Sequence, residues 1–295
     1  MPISLNMTET VDSVNTSIVN DEIVKEIPAG DGRPLGIRHY HDETFIAVDC
    51  FVGVVEVDFK TGTIKNLLSI ETVINGRKLM IPDALDFISK DTIIFSDASV
   101  NFDGHQYAIP LAAGINDGRL IKFNLTSGEY DQIADGFYFP NGIQIHADGE
   151  SVLVTETGFG CVSRFYFAGP KKGVREAFVK QLPGFPDNIS ATTKGTYFVA
   201  MAVSRMGGWH LLDLIAPYPS LRKLLLQVIP EKYSTVFLSM GPSNGLFIKV
   251  DANGNIIDSW QDPSGKIRYI SQATDAGNAI YVGSYAHSFL AKIER

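Results

Sequence analysis

The sequence is poor in the features that mark several large classes of protein. Its only cysteines, Cys50 and Cys161, give neither a disulfide framework nor the paired cysteines of a zinc site. One bridge between them is an alternative, but two free, partly buried thiols are the simpler expectation. No apolar run approaches the roughly 18 residues of a membrane-spanning helix, and residues 1–21 lack the basic start and apolar core of a signal peptide. The sequence itself therefore leaves the localisation unknown.

Positive charge is also scarce. Lys and Arg number 25 against 33 Asp and Glu, which gives a formal net charge of −8. Nucleic acid is thereby disfavoured as the main partner, because phosphate binding requires clustered basic residues. A cation or a neutral substrate is compatible with this balance. The chain has no Gly-x-Ser-x-Gly elbow and no glycine-rich phosphate loop, so nothing indicates a serine nucleophile or a nucleotide site.

What the sequence does contain is an internal repeat. Each copy opens with a small or polar pair and an aliphatic residue, and then has a polar turn and a β-rich apolar run. Two further strand-like runs follow most copies, joined by turns such as Thr61-Gly62, Ser127-Gly128 and Asn253-Gly254. Four antiparallel strands per copy predict a β-propeller. A β-sandwich would lack the repeat, and an α/β fold would need longer connections. The copies begin at 34–49, 83–97, 141–156, 187–201 and, more loosely, 270–284.

Two regions interrupt the repeat. The first 30 residues hold one clear strand, at 22–27. We therefore expect an irregular or disordered segment at 1–21 and a single propeller domain at 22–295.

The second interruption is the stretch 205–235. Its Leu and Ile residues fall at helical spacing, split by Pro217 and Pro219, which predicts a short helical insertion. A lid docked on the propeller through its apolar side is one interpretation. Peripheral contact with a membrane surface is the other, because Trp209 and Tyr218 lie near basic residues.

Several short motifs occur together from about residue 22 onward. LPGFPDNI (182–189) and FPNGIQ (139–144) are the more specific, and they accompany GRPLGI (32–37), DGRLIKFN (117–124), VTET (154–157), GPKKG (169–173) and YVGS (281–284). In this order they resemble the strictosidine synthase-like family, which includes the adipocyte plasma membrane-associated proteins. The resemblance implies a six-bladed propeller with calcium in its central channel. It also implies kinship with lactonases and paraoxonase-type arylesterases, and a membrane-associated or secretory localisation.

The chain departs from the family pattern at several positions. A Gly-Pro-Glu motif with a metal-binding glutamate is absent before residue 22, so the first blade is expected to be incomplete. Ser271 stands where strictosidine synthase has its catalytic glutamate, which disfavours that enzyme's condensation reaction. Leu35 stands where paraoxonase-type relatives have a base histidine, and Ala84 replaces an acidic residue that is frequent in relatives.

Polar residues align in the repeat where the innermost strand of each blade begins. The column reads Leu35, Asp83, Asn141, Asp187 and Ser271, and the next reads Gly36, Ala84, Gly142, Asn188 and Gln272. Inner strands converge on the axis of a propeller, and carboxylate and amide oxygens are what calcium requires. Capping of turns is the simpler role of any single Asp or Asn. For the set we predict one calcium ion held by Asp83, Asn141, Asp187 and Asn188.

These observations favour a calcium-dependent hydrolase of lactones or aryl esters, acting on a small-molecule ester or lactone. The alternative is a catalytically weak or inactive propeller that serves as a binding module. No general base is identified. The histidines His39, His41, His146 and His287 are candidates, although each fits a surface or hydrogen-bonded role at least as well.

Four Asn-x-Ser/Thr triplets begin at Asn6, Asn15, Asn124 and Asn188. Asn188 is expected in the channel, where a glycan would not fit. Asn124, at a hairpin turn, is the best candidate for glycosylation if the chain is secreted.

Overall fold

The computed structural model describes residues 14–19, 22–205, 210–218, 220–222, 224 and 244–295. A hairpin of β1 (Val14–Val19) and β2 (Glu22–Pro28) comes first. The first sheet contains β3 (Pro34–His41), β4 (Thr44–Asp49), β5 (Gly53–Asp58) and β6 (Thr63–Ser69). After a small hairpin of β7 (Val73–Ile74) and β8 (Arg77–Lys78), the second contains β9 (Pro82–Ser89), β10 (Thr92–Asp97), β11 (Gly118–Asn124) and β12 (Tyr130–Phe137).

The remaining sheets continue in chain order. The third contains β13 (Pro140–Ile145), β14 (Ser151–Glu156), β15 (Cys161–Tyr166) and β16 (Arg175–Val179). The fourth contains β17 (Gly184–Ala191), β18 (Tyr197–Ser204), β19 (Gly245–Val250) and β20 (Ile256–Asp262). The fifth contains β21 (Ile270–Asp275), β22 (Ala279–Ser284) and β23 (Ala291–Glu294). Helix α1 (Ala108–Ala113) lies between β10 and β11, and helix α2 (Leu211–Ile215) between β18 and β19.

Each sheet is an antiparallel meander whose strands hydrogen bond in chain order. The predicted hairpin turns are present, because Gly62, Gly128 and Gly254 all have positive φ angles, of 78°, 74° and 88°. The second strand of each of the first three sheets is buried along its whole length, whereas the outermost strands β6 and β20 are mostly exposed. A second strand buried on both faces shows that the sheets pack face to face, as propeller blades do.

The hydrophobic core is divided among the interfaces between successive sheets. Phe95 of the second sheet packs with Val48 of the first, and Tyr197 of the fourth packs with Leu153 of the third. Similar clusters join the second sheet to the third and the fourth to the fifth. The fold is therefore an all-β propeller, confirming the prediction from the repeat.

Inner strands of successive sheets approach one another closely. A Cβ atom at Gly36 would lie 2.8 Å from the Ala84 Cα atom, and one at Gly142 would lie 2.6 Å from the Asn188 Cα atom. Gly36 and Gly142 occupy equivalent places in the repeat, so glycine there allows neighbouring backbones to touch.

Buried hydroxyl groups also connect one sheet to the next. Ser96 of β10 donates a hydrogen bond of 2.8 Å to the backbone oxygen of Asn141 on β13. In the equivalent position of the next sheet, the Thr155 hydroxyl donates to the backbone oxygen of Asp187 on β17. The start of each of these inner strands is thus held by the preceding sheet.

The six-blade count is not confirmed, since the described residues form five blade-like sheets. The hairpin of β1 and β2 packs outside the first sheet, where Ile27 contacts Phe45 and Val57. Strand β1 lies within the segment 1–21 that we expected to be irregular, and residues 1–13 of that segment lie outside the described residues. Helix α1 was not predicted.

Part of the helical insertion at 205–235 is described, and it contains α2. Leu212 and Ile215 of α2 are buried against Phe185 and Ala112, whereas Leu214 is exposed. This packing agrees with a lid docked through its apolar side. Trp209 and residues 225–235, on which membrane contact was partly argued, lie outside the described residues. No described helix is long and apolar enough to cross a membrane.

Candidate functional site

A cavity of about 350 Å³ opens where the inner strands begin. Its floor comes from the inner strands and its roof from α1 and α2, which pack together through Ala112 and Leu212. The lining side chains are mainly apolar or aromatic. They include Leu35, Ile81, Tyr107, Leu111, Phe139, Phe185, Val203, Leu212, Tyr269 and Tyr285.

All four residues predicted to hold a metal line this one cavity. Asp83, Asn141 and Asp187 are 7%, 8% and 7% exposed. The Asn188 amide nitrogen donates a hydrogen bond of 3.3 Å to the Asp187 carboxylate. The repeat column therefore brings together residues from three sheets, although they are more than 100 positions apart at the extremes. Leu35 also lines the cavity, whereas Ser271 is buried and does not line it.

Burial makes the two carboxylates costly to ionise. Removal from water raises the pKa of Asp83 to about 7, an effect that the positive charge of Arg33 partly opposes. Removal from water, together with repulsion from Asp83, raises the pKa of Asp187 well above its ordinary value. Two like charges in a common cavity call for a positive partner.

A cation fits this arrangement. The side-chain oxygen of Asn141 is buried and has no hydrogen-bond partner among the described residues. An unpaired acceptor next to two desolvated carboxylates is what a hard cation such as calcium would satisfy. In the described part of the chain, no three or more His, Cys, Asp or Glu side chains are grouped so that they alone could hold a metal ion. The donor set is therefore two carboxylates and the amides of Asn141 and Asn188, with the remaining positions left to other oxygens.

The histidines singled out in the sequence do not line the cavity. His39 is hydrogen bonded to the Asp42 carbonyl, His146 to the Ala252 carbonyl, and His287 accepts from the Arg268 amide. His41 lies beside the exposed Asp42 carboxylate. None of these four is placed to act as a general base at the candidate site.

His210 and Arg33 line the cavity but were not identified from the sequence. His210 is fully buried, and its Nδ1 atom accepts a hydrogen bond from the Leu212 amide. Its Nδ1 atom is therefore occupied as an acceptor and is not free to take a proton from water. His210 lies in the insertion, outside the repeat. Arg33 was visible only as part of the GRPLGI motif.

Another acidic column, at the ends of the second strands, is structural. Asp97 accepts from the amides of Met80 and Ile81 and forms a buried ion pair with Arg119 at 2.9 Å. Glu156 pairs with Arg175 at 2.7 Å. These carboxylates close the loops that return to the inner strands, and their oxygens are already satisfied.

Cys50 and Cys161 are both free and buried. Burial raises the pKa of each thiol to about 12, so both are inert at neutral pH. The expectation of two free thiols is confirmed.

Comparison with known proteins agrees with this fold. The family model "Strictosidine synthase" matches residues 83–170. Adipocyte plasma membrane-associated protein from Rattus norvegicus is 33% identical over 89% of this chain and 70% of the relative. The protein of that name from Bos taurus is 34% identical over 89% of this chain, which spans 64% of the bovine protein. Protein STRICTOSIDINE SYNTHASE-LIKE 6 from Arabidopsis thaliana is 30% identical over 94% of this chain and 70% of its own length.

Solved structures share the fold at low sequence identity. A gluconolactonase from Xanthomonas campestris gives a TM-score of 0.63 at 12% identity, covering 96% of this chain and 78% of the other. A calcium-binding protein, regucalcin, from Agrobacterium tumefaciens gives a TM-score of 0.57 at 11% identity, covering 94% and 76%.

Proposed function

This chain belongs to the strictosidine synthase-like family that includes the adipocyte plasma membrane-associated proteins, and from that premise we propose that it is a calcium-dependent hydrolase of lactones or aryl esters. The gluconolactonase and regucalcin structures support a lactonase-type propeller. Because the chain spans only 64% of the bovine relative, the activity proposed is that of the region described here.

The observation that carries the proposal is the Asn141 side-chain oxygen, which has no hydrogen-bond partner in the described part of the chain and lines an apolar cavity together with Asp83 and Asp187. Asp83, Asn141, Asp187 and Asn188 would hold the ion, and the Asn188 amide nitrogen also donates a hydrogen bond to the Asp187 carboxylate. Calcium bound there would polarise the carbonyl oxygen of an ester or lactone.

The chain's own residues determine how a substrate would lie. Apolar side chains of the wall, such as Phe139 and Phe185, would contact the hydrocarbon part of the substrate and exclude bulk water around it. Hydrolysis adds water across the acyl–oxygen bond, and the products are a carboxylic acid and an alcohol or phenol.

Hydrolysis of phenyl acetate and of an aliphatic lactone, measured with calcium and with a chelator, tests this function. We expect activity that requires calcium and falls at least roughly tenfold in Asp187→Asn, as for loss of a ligand or its partner in other metal sites. Asp131→Asn, an exposed aspartate on β12, is the matched control and should retain activity. Equal rates with and without chelator would exclude the proposal.

A binding module without catalysis is the second candidate. It is favoured by Leu35, which fills a cavity position where the resemblance to paraoxonase-type enzymes implies a histidine. Calcium binding without hydrolysis of any ester or lactone would support this alternative. Membrane association and glycosylation at Asn124 also remain predictions.

A further inference from the structure

Arg33 is a positive charge in the wall of the cavity, and none of the described residues accepts a hydrogen bond from its guanidinium. It precedes β3, is half-buried and lines the cavity. Its guanidinium carbon lies 5.5 Å from the centre of the Tyr107 ring. Among the described residues, no acceptor hydrogen bonds to this guanidinium and no carboxylate lies within ion-pairing distance of it. An arginine side chain carries five N–H donors and stays charged.

Neutralising the charges of Asp83 and Asp187 does not explain why an arginine stands at position 33. Its charge acts on both carboxylates at a distance, yet a side chain whose role was to pair with them would be expected to contact one directly. The groups that line the cavity, Asp83, Asp187 and Arg33, would together with a divalent cation carry one excess positive charge. Arg33 also acts on the buried Asp49, but that carboxylate does not line the cavity and accepts hydrogen bonds from backbone amides. A monoanion placed at Arg33 would balance it.

We propose that Arg33 anchors the carboxylate of an apolar carboxylic acid in this cavity and thereby determines which ligands the site prefers. The inference rests on the proposed function, since ester or lactone hydrolysis releases such an acid. The apolar wall takes the hydrocarbon and the planar guanidinium takes the carboxylate in a two-point contact. The site should therefore bind its acid product and be inhibited by it.

Calorimetric titration with octanoate and with 1-octanol tests this anchor, because the two probes share a hydrocarbon chain and differ in charge. We expect octanoate to bind the parent chain more tightly than octanol. Arg33→Met should weaken octanoate binding roughly tenfold or more and leave octanol binding unchanged. Arg33→Lys should lose part of the octanoate affinity, because a lysine keeps the charge and not the paired donors.

Arg38→Met is the matched control. Arg38 lies on β3, which Arg33 precedes, but it is paired with Asp86 at 3.6 Å and does not line the cavity. Its substitution should not change octanoate affinity, and circular dichroism confirms that each variant is folded. Equal octanoate affinity in the parent and Arg33→Met, or no octanoate binding by the parent, would overturn the anchor.

Titration in calcium and in chelator separates this inference from the proposed function. Arg33-dependent octanoate binding by a chain that hydrolyses nothing would support the anchor and reject the hydrolase. Calcium-dependent hydrolysis, combined with octanoate binding that is unchanged in Arg33→Met, would support the hydrolase and reject the anchor.

Discussion

At the scale of single residues, the unusual feature is a pair of buried carboxylates that form no ion pair with any described Lys or Arg. Asp83 and Asp187 each begin an inner strand, and each is almost fully removed from water. Their raised pKa values follow from that burial. The residues are therefore unfavourable for the metal-free chain and suited to binding a cation.

The stability of the metal-free protein should depend on pH because of these residues. Asp83 has a pKa of about 7 in the folded protein and 3.8 ordinarily. Between these values the folded chain keeps a proton that the unfolded chain has lost, so stability falls as the pH rises through this window. Between these pH values the free energy of unfolding in chelator should fall by up to a few kcal/mol, which thermal melting would show as a falling melting temperature. The fall should be smaller in Asp83→Asn. A melting temperature that rises over the same window would contradict this assignment.

The sequence identified Asp83, Asn141, Asp187 and Asn188 because all four stand in a repeat column, and a repeat converts sequence register into position in space. Arg33 and His210 were not predicted, because neither belongs to a column of polar residues that recurs in the other copies of the repeat. Arg33 and His210 matter because they are buried or half-buried in the cavity wall. Burial depends on long-range packing, which a local sequence pattern does not reveal.

At the scale of elements, close contact between inner strands sets the geometry of the site. Gly142→Ala would place a methyl group 2.6 Å from the Asn188 Cα atom, which forces β13 and β17 apart. We expect a loss of about 1–3 kcal/mol in unfolding free energy, measured by urea denaturation.

Gly283→Ala is its control, because an added Cβ on β22 would meet its nearest neighbour at 3.6 Å, an ordinary contact. This variant should be nearly neutral. Similar losses in both variants would show that strand contact is not the cause.

The hydroxyl hydrogen bonds between sheets should affect the site indirectly, by holding its residues in position. Ser96→Ala leaves the Asn141 carbonyl and the Ala84 amide without their partner. The expected cost is about 1–3 kcal/mol in stability, together with weaker calcium binding because Asn141 is less firmly placed. Ser259→Ala, on the exposed outer strand β20, is the control and should change neither. Unchanged calcium affinity in Ser96→Ala would reject the positioning role.

Strands were predicted well and helix α1 was not, for physical reasons. Turn glycines and alternating apolar runs are local signals, and they located most strands within a few residues. Helix α1 is six residues long and contains Pro110, a residue usually read as a helix breaker. Pro110 lies in the first turn, where a backbone N–H would have no helical partner, so the helix tolerates it.

At the scale of the whole molecule, the packed sheets should unfold together. Cys50 belongs to the first sheet region and Cys161 to the third, and both are buried. We expect both thiols to resist Ellman's reagent in the native protein and to react together as urea unfolds it. Fast reaction of one thiol under native conditions would show that its sheet opens independently.

The described residues form five blade-like sheets and two separate hairpins, so the six blades expected from the family resemblance are not confirmed. The resemblance predicts architecture and site chemistry together. The chain contains the polar column of Asp83, Asn141, Asp187 and Asn188 to which the resemblance assigns metal binding. Whether the column still binds a metal is therefore the central question.

Calorimetric titration of calcium into the parent chain, Asp187→Asn and the exposed control Asp131→Asn answers it most directly. The account predicts one calcium ion per chain for the parent and for Asp131→Asn, and affinity reduced at least roughly tenfold in Asp187→Asn. No binding by the parent chain, or equal binding by Asp187→Asn, would contradict the site and the hydrolase built on it.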